Sequence, residues 1–125
     1  MFHSPFSRIA RRALLLAAAS LVAPAAFSQQ DWPQQPVTLI MGFPAGSGVD
    51  VVARVIQEPL SKQLGKPVVI DYKSGAAGNI ASEYVAHARP DGYTLSFGTA
   101  ATHGSNAALY KKLPFDVEAD FVPVA

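Results

Sequence analysis

A chain of 125 residues, half of them apolar and with a formal charge of +1, has room for one domain or a piece of one. It contains no cysteine, which excludes disulfide staples and thiolate metal sites. Much of the apolar excess lies in residues 1–28, which read as a secretory signal. Arg8, Arg11 and Arg12 form its basic start, Ala13 to Val22 its apolar middle, and Ala26-Phe27-Ser28 a small-residue cleavage site before Gln29. That middle falls short of the roughly 20 residues needed to span a bilayer. Arg11-Arg12 ahead of Ala13-Leu14-Leu15 leaves both the general and the twin-arginine export routes open. Removing the three arginines takes the +1 of the whole chain to −2, and a mildly acidic chain argues against a nucleic-acid binder. The expected organisation is a signal peptide over residues 1–28 and an exported domain over residues 29–125 with no membrane span.

Gln29 to Pro36 is a polar, proline-punctuated lead-in. Val37-Thr38-Leu39-Ile40-Met41 is β-branched and almost continuously apolar, the pattern of a strand covered on both faces. Phe43-Pro44-Ala45-Gly46-Ser47-Gly48-Val49-Asp50 follows as a glycine loop entering a helix, and the free amides of a helix's first turn make such a bend attractive to anions. The loop holds no Lys or Arg, so a bound anion would be held by neutral donors and the helix dipole. Asp50 is placed to cap the helix rather than to act as a catalytic acid.

Val49, Val52, Ala53, Ile56, Leu60 and Leu64 recur at helical spacing as one apolar stripe, ending at Gly65 as a C-cap. Pro59 is expected to kink or split this helix near Gln57, since an interior proline costs about 3 kcal/mol. Pro67 to Tyr72 reads as a second strand and Lys73 to Gly78 as a second glycine loop. Asn79 then serves as N-cap of a helix running to about Ala88, with Ile80, Tyr84, Val85 and Ala88 on its buried side. Arg89-Pro90-Asp91-Gly92 stops that helix and turns the chain. Tyr93 to Gly98 is the third strand, followed by a small-residue loop, Thr99 to Ser105, a short helix over Asn106 to Tyr110 and a helical turn over Asp116 to Asp120.

Strands alternating with helices on short connections predict an α/β fold, a parallel sheet with helices on both faces and right-handed crossovers. The three loops then share the carboxyl edge of the sheet, where open α/β sheets bind ligands. Gly46 to Asp50, Gly75 to Asn79 and Thr99 to Ser105 converge there, offering backbone amides, the hydroxyls of Ser47, Thr99, Thr102 and Ser105, the carboxamide of Asn79 and the imidazole of His103. His103 has no second His or carboxylate at ligand spacing, so no metal site is expected, and Lys111-Lys112 reads as solvated surface.

Enzymatic signatures fit poorly. Ala45 and Val49 stand where a serine nucleophile elbow needs glycines, and no Gly-Lys-Ser or Gly-Lys-Thr completes a phosphate loop. A Rossmann-like dinucleotide-binding oxidoreductase fragment is the alternative. Gly46-Ser47-Gly48 follows a strand and Asp71 ends the next one about 20 residues on, although Ala53 stands deeper in the helix where the third glycine is wanted.

The ordered motifs Trp32-Pro33, Pro36-Val37-Thr38-Leu39-Ile40, Phe43-Pro44-Ala45-Gly46, Gly75-Ala76-Ala77-Gly78-Asn79, Pro90-Asp91-Gly92-Tyr93-Thr94-Leu95, Gly98-Thr99, Thr102-His103 and Leu109-Tyr110-Lys111-Lys112-Leu113-Pro114-Phe115-Asp116 resemble the start of the tripartite tricarboxylate transporter receptors. This is the TctC or Bug family of periplasmic substrate-binding proteins. The resemblance implies a two-lobed, type II binding-protein fold of about 300 residues, of which residues 29–125 would be a truncated N-terminal lobe of three βα units. It further implies capture of a small carboxylic acid, delivery to a membrane permease, no cofactor and no catalysis. The ligand-binding residues it implies are Phe43, Ala45, Gly46, Ser47, Gly48, Asp50, Gly78, Asn79, Thr99, Thr102 and His103. The family loop reads glycine three times and then Thr or Ser before the Asp. Here Ser47 replaces the middle glycine and Val49 the hydroxyl residue, which implies a displaced donor and an altered ligand choice.

Overall fold

The computed structural model of the chain describes residues 32–124; the secretory signal expected over residues 1–28 lies outside the described residues. The elements run β1 (Val37–Met41), α1 (Gly48–Leu64), β2 (Val68–Tyr72), α2 (Asn79–Ala86), β3 (Thr94–Ser96) and α3 (Asn106–Leu109). A 3-10 turn, Ala76–Gly78, leads into α2, and a wide helical turn, Ala101–Ser105, leads into α3. The strands form one parallel sheet in the order β2-β1-β3, with Val37–Met41 in register with Val68–Tyr72 and Thr38–Ile40 with Thr94–Ser96.

β1 is the central strand, as its continuous apolar character requires: every residue but Thr38 is buried. Its side chains alternate between two cores. Val37, Leu39 and Met41 join Ala53 and Val68, with Val49, Leu60 and Leu64 of α1 packed against them. Ile40 is buried outside that cluster, and Gly42 faces the Ala81 methyl of α2. The crossovers leave β1 and β2 in opposite directions across the sheet, so crossovers of one hand place α1 and α2 on opposite faces.

α1 departs from its expected stripe. Val49, Ala53, Leu60 and Leu64 turn inward, but Val52 and Ile56 are 54% and 42% exposed. The inward line passes through Gln57, whose Nε2 donates to the Val68 carbonyl at 2.7 Å, while Ser61 Oγ accepts from the Val68 amide at 2.9 Å. Two polar side chains thus hold the outer edge of β2 to the helix, satisfying backbone groups that an edge strand would leave open. Nor does Pro59 split the helix, which runs unbroken to its left-handed cap at Gly65 (φ 64°). The carbonyl that loses its partner belongs to Val55, an exposed residue where water can take the bond.

Two further expectations are corrected, and a third holds. Ile80 and Tyr84 are 47% and 49% exposed, and the inner side of α2 is made by Ala81 and Ser82. β3 stops at Ser96, short of the expected Gly98: the Phe97 amide still donates to the Ile40 carbonyl of β1 at 3.0 Å, and Gly98 lies against the His103 ring, 3.0 Å from where its Cβ would stand. The helical turn expected over residues 116–120 is present, closed by the Asp120 amide on the Asp116 carbonyl at 3.1 Å.

A side chain at Gly42 would place its Cβ 2.7 Å from the Gly78 Cα, a backbone atom that cannot move aside. Gly42→Ala is therefore expected to destabilise the fold by about 1–3 kcal/mol in urea unfolding. Gly48→Ala, where a Cβ meets nothing within 4 Å, is expected to leave the midpoint unchanged or raised.

Candidate ligand-binding rim

In a parallel sheet the segments leaving each strand share one edge, and in the order β2-β1-β3 the connections after β1 and β3 lie on either side of the point where strand order reverses. The three loops meet in that crevice. A Cβ built on Gly78 would stand 2.5 Å from the Thr102 methyl and 3.5 Å from the Phe43 ring, so the bare backbone of Gly78 (φ 89°) is held between the first and third loops.

In the first loop Ser47 is the N-cap of α1, its Oγ accepting from the Asp50 amide at 3.3 Å. Asp50 lies in the first turn instead of capping, and its carboxylate reaches back to accept from the Gly46 amide at 2.7 Å. Arg54 Nε donates to both carboxylate oxygens at 3.1 and 3.0 Å, and the Tyr72 hydroxyl donates to Oδ1 at 2.6 Å while accepting from Arg54 at 2.7 Å. Asp50 is buried and charged. The Gly46 amide foremost, then the Tyr72 hydroxyl and Arg54, hold its carboxyl down to about 2. In return the carboxylate raises the Tyr72 hydroxyl and strengthens the charge of Arg54. The first intrahelical bond runs from the Val51 amide to the Ser47 carbonyl at 3.1 Å, so the Gly48 and Val49 amides precede it and remain open.

The second loop winds left-handed through Ala76 (φ 47°) and Ala77 (φ 54°), closed by the Gly78 amide on the Gly75 carbonyl at 2.9 Å. Left-handed alanines cost roughly 1–2 kcal/mol each and persist where the surroundings hold them. Asn106 of α3 does so: its Nδ2 donates to the Ala77 carbonyl at 3.1 Å and to Asn79 Oδ1 at 2.6 Å. Gly78, not Asn79, is therefore the N-cap residue of α2, because the Asn79 side chain is turned toward Asn106.

The third loop is more helical than its sequence predicts. Thr99 and Thr102 cap each other, the Thr99 amide donating to Thr102 Oγ1 at 2.9 Å and the Thr102 amide to Thr99 Oγ1 at 3.2 Å. A wide turn then closes with the Ser105 amide on the Ala100 carbonyl at 3.0 Å. His103 Nδ1 lies 2.8 Å from Thr102 Oγ1, and its ring meets Phe121 edge-on at 4.8 Å. Burial lowers its pKa, which favours the neutral imidazole.

The structure thus brings Phe43, Gly78 and Thr102 into one contact, with Asn79 and His103 beside them, and leaves Ala45, Gly46 and Gly48 exposed at the first bend. Buried Thr102 and Asp50 are used up by internal bonds, whereas half-buried Ser47 accepts as a cap and keeps its own proton for donation. Arg54, Tyr72 and Asn106 are the rim residues that sequence reasoning missed; the opposite charges of Asp50 and Arg54 four residues apart were the one available signal. Nearby charge is paired off: Arg54 with Asp50, and Lys73 with Asp71 at 3.2 Å while also standing over the Tyr84 ring at 4.1 Å. Asp71, the acid that a dinucleotide-binding reading requires, is therefore engaged. Among the described residues no helix is long and apolar enough to cross a membrane, and no cluster of His, Asp and Glu could hold a metal ion.

An open α/β sheet with an amide-lined rim at its switch point is the architecture of a ligand-binding lobe. The sequence profile of the tripartite tricarboxylate transporter family receptor matches residues 52–125, and the chain belongs to that family. A UPF0065 protein of Bordetella bronchiseptica is 40% identical over 98% of this chain and 37% of its own length. Among solved structures, MatC of Rhodopseudomonas palustris with bound malate is 43% identical over 74% of this chain and 32% of its own, with a TM-score of 0.72. The periplasmic binding protein BugD is 35% identical over 74% of this chain and 31% of its own, with a TM-score of 0.71. The parallel sheet with helices on both faces is thus shared with periplasmic solute-binding proteins. The chain spans about a third of the length of the relatives it matches. Nothing in these matches supports the dinucleotide-binding alternative.

Two outcomes test the network. Asp50 has a lower pKa folded than its ordinary 3.8, so its stabilisation is complete above about pH 4 and is lost as pH falls toward about 2. Asp116, lowered by the Ala119 and Glu118 amides, adds to the same slope. Urea midpoints are therefore expected to fall from pH 4 to pH 2, and to fall less steeply in Asp50→Asn. Asn106→Ala strips the Ala77 carbonyl and the buried Asn79 of their donor, and a loss of about 1–3 kcal/mol is expected by the same measurement.

Proposed function

We propose that this chain is the carboxylate-gripping part of an exported solute receptor, which captures a small carboxylic acid for a tripartite-type membrane permease and performs no chemistry on it. The observation that carries the reading is the junction of three loops at Gly78, the first of which goes on to a helix start whose Gly48 and Val49 amides are open. The family supplies the ligand class, and the malate bound to MatC supplies its best instance.

In this reading one ligand carboxylate is received by the Gly48 and Val49 amides and the Ser47 hydroxyl proton. Phe43, Gly78, Thr99, Thr102 and His103 shape the crevice, and Asn79, held by Asn106, fixes the loop that carries Gly78. Ala45 and Gly46 complete the bend. Closure of a second lobe removes water and strengthens these hydrogen bonds. Residues 1–28 direct the chain to the periplasm, where the ligand is met.

A titration of the isotope-labelled chain with malate, followed by amide resonances, tests this. Dissociation on the order of 1 mM is expected, since one edge of the site acts alone, with the largest shifts at Ser47, Gly48 and Val49. Ser47→Ala is expected to weaken it roughly fivefold, the equivalent of one lost donor. Shifts confined to other parts of the molecule, or a response to NADH in place of malate, would remove the rim from this role.

A further inference from the structure

We propose that Asp50 is the positioning residue of the rim: its carboxylate fills the first anion place of the loop, so that an external carboxylate is received one step further on, at Gly48 and Val49. The second half of this inference rests on the solute-capture reading above; the first half stands on the loop alone.

A glycine bend entering a helix offers several amides to an anion. Here the Gly46 amide is already taken, at 2.7 Å, by a carboxylate of the same chain. That carboxylate is not available to a ligand. Its side chain is 3% exposed, and its two oxygens accept from Gly46, Arg54 and Tyr72. A second carboxylate brought against it would meet repulsion, not a donor. What Asp50 does instead is fasten the bend. Arg54 lies one helical turn along α1 and Tyr72 is the last residue of β2, so the loop leaving β1 is tied to its own helix and to the neighbouring strand. With the Gly46 amide engaged by Asp50 and the Asp50 amide held by Ser47, the two amides left at the helix start are those of Gly48 and Val49.

Coulomb's law and positioning predict opposite signs for one substitution. Asp50→Asn removes a negative charge and leaves Arg54 unbalanced, which by charge alone strengthens anion binding. If Asp50 positions the loop, the substitution weakens it, because a carboxamide has one acceptor oxygen where the network uses two. In the malate titration we expect Asp50→Asn to bind roughly fivefold more weakly or worse, with amide relaxation showing lost order over residues 46–49. Tyr72→Phe keeps the charge and removes one of the bonds to Asp50 together with the one from Arg54, and is expected to produce a smaller change of the same sign. Unchanged β1 amide resonances identify variants that remain folded. Malate binding as tight as in the unaltered chain or tighter in Asp50→Asn, with residues 46–49 equally ordered, overturns the proposal. If the unaltered chain gives no response to malate, the solute-capture reading fails by itself, and relaxation still decides the role of Asp50: retained order in both variants overturns it, lost order supports it.

Discussion

The structure depends on a place where two backbones touch. Gly42, one residue beyond the central strand, lies so close to Gly78 that any Cβ between them would fall at 2.7 Å from the Gly78 Cα. On its other side Gly78 is met by the Thr102 methyl and the Phe43 ring. Because β1 lies between β2 and β3, its exit loop is flanked by the exits of both. The missing side chains let those exits close into a rim instead of standing apart by the width of a residue. The left-handed turn at Ala76 and Ala77 and its anchoring by Asn106 are best understood as consequences, since they deliver Gly78 to that contact.

The same economy governs charge. The acid and base nearest the rim, Asp50 and Arg54, neutralise one another, and Asp71 and Lys73 do the same at the end of β2. What remains for a visitor is the partial positive charge of a helix start, about half an elementary charge spread over open amides. Such a site attracts an anion without presenting a full cation, and its strength depends on how well water is kept out.

The sheet, its parallel sense and the meeting of the three loops were legible in the sequence, because each strand is a short run followed within three residues by glycine and the loop positions follow from topology. The faces of α1 and α2 were not. A periodic stripe is visible only where its members are apolar, and α1 turns inward through Gln57, a residue that binds the edge of β2. Likewise Ile80 and Tyr84 suit a core by composition, yet the close approach of Gly42 leaves room on that side of α2 only for Ala81 and Ser82. The partners of Asp50 and Asn79 lay 22 and 27 residues away in the chain, in Tyr72 and Asn106, and no local pattern announces a contact of that range. Composition could list donors but could not say which were already used within the protein.

That last distinction bears on how a receptor of this kind releases what it holds. A guanidinium aimed at the ligand would hold a carboxylate with the lobe open, where water is present, and would tie affinity to ionic strength. Arg54 is the cation close enough to have served in that way, but two of its nitrogens are turned to Asp50 and Tyr72. With Arg54 engaged in this manner, the grip is left to neutral hydrogen bonds, which are weak in water and strong when dry. In the proposed role, affinity is thereby coupled to closure: the acid is held while water is excluded and let go when it returns. The network around Asp50 would then set not only the shape of the first loop but also the reversibility of capture, by keeping the nearest full positive charge occupied.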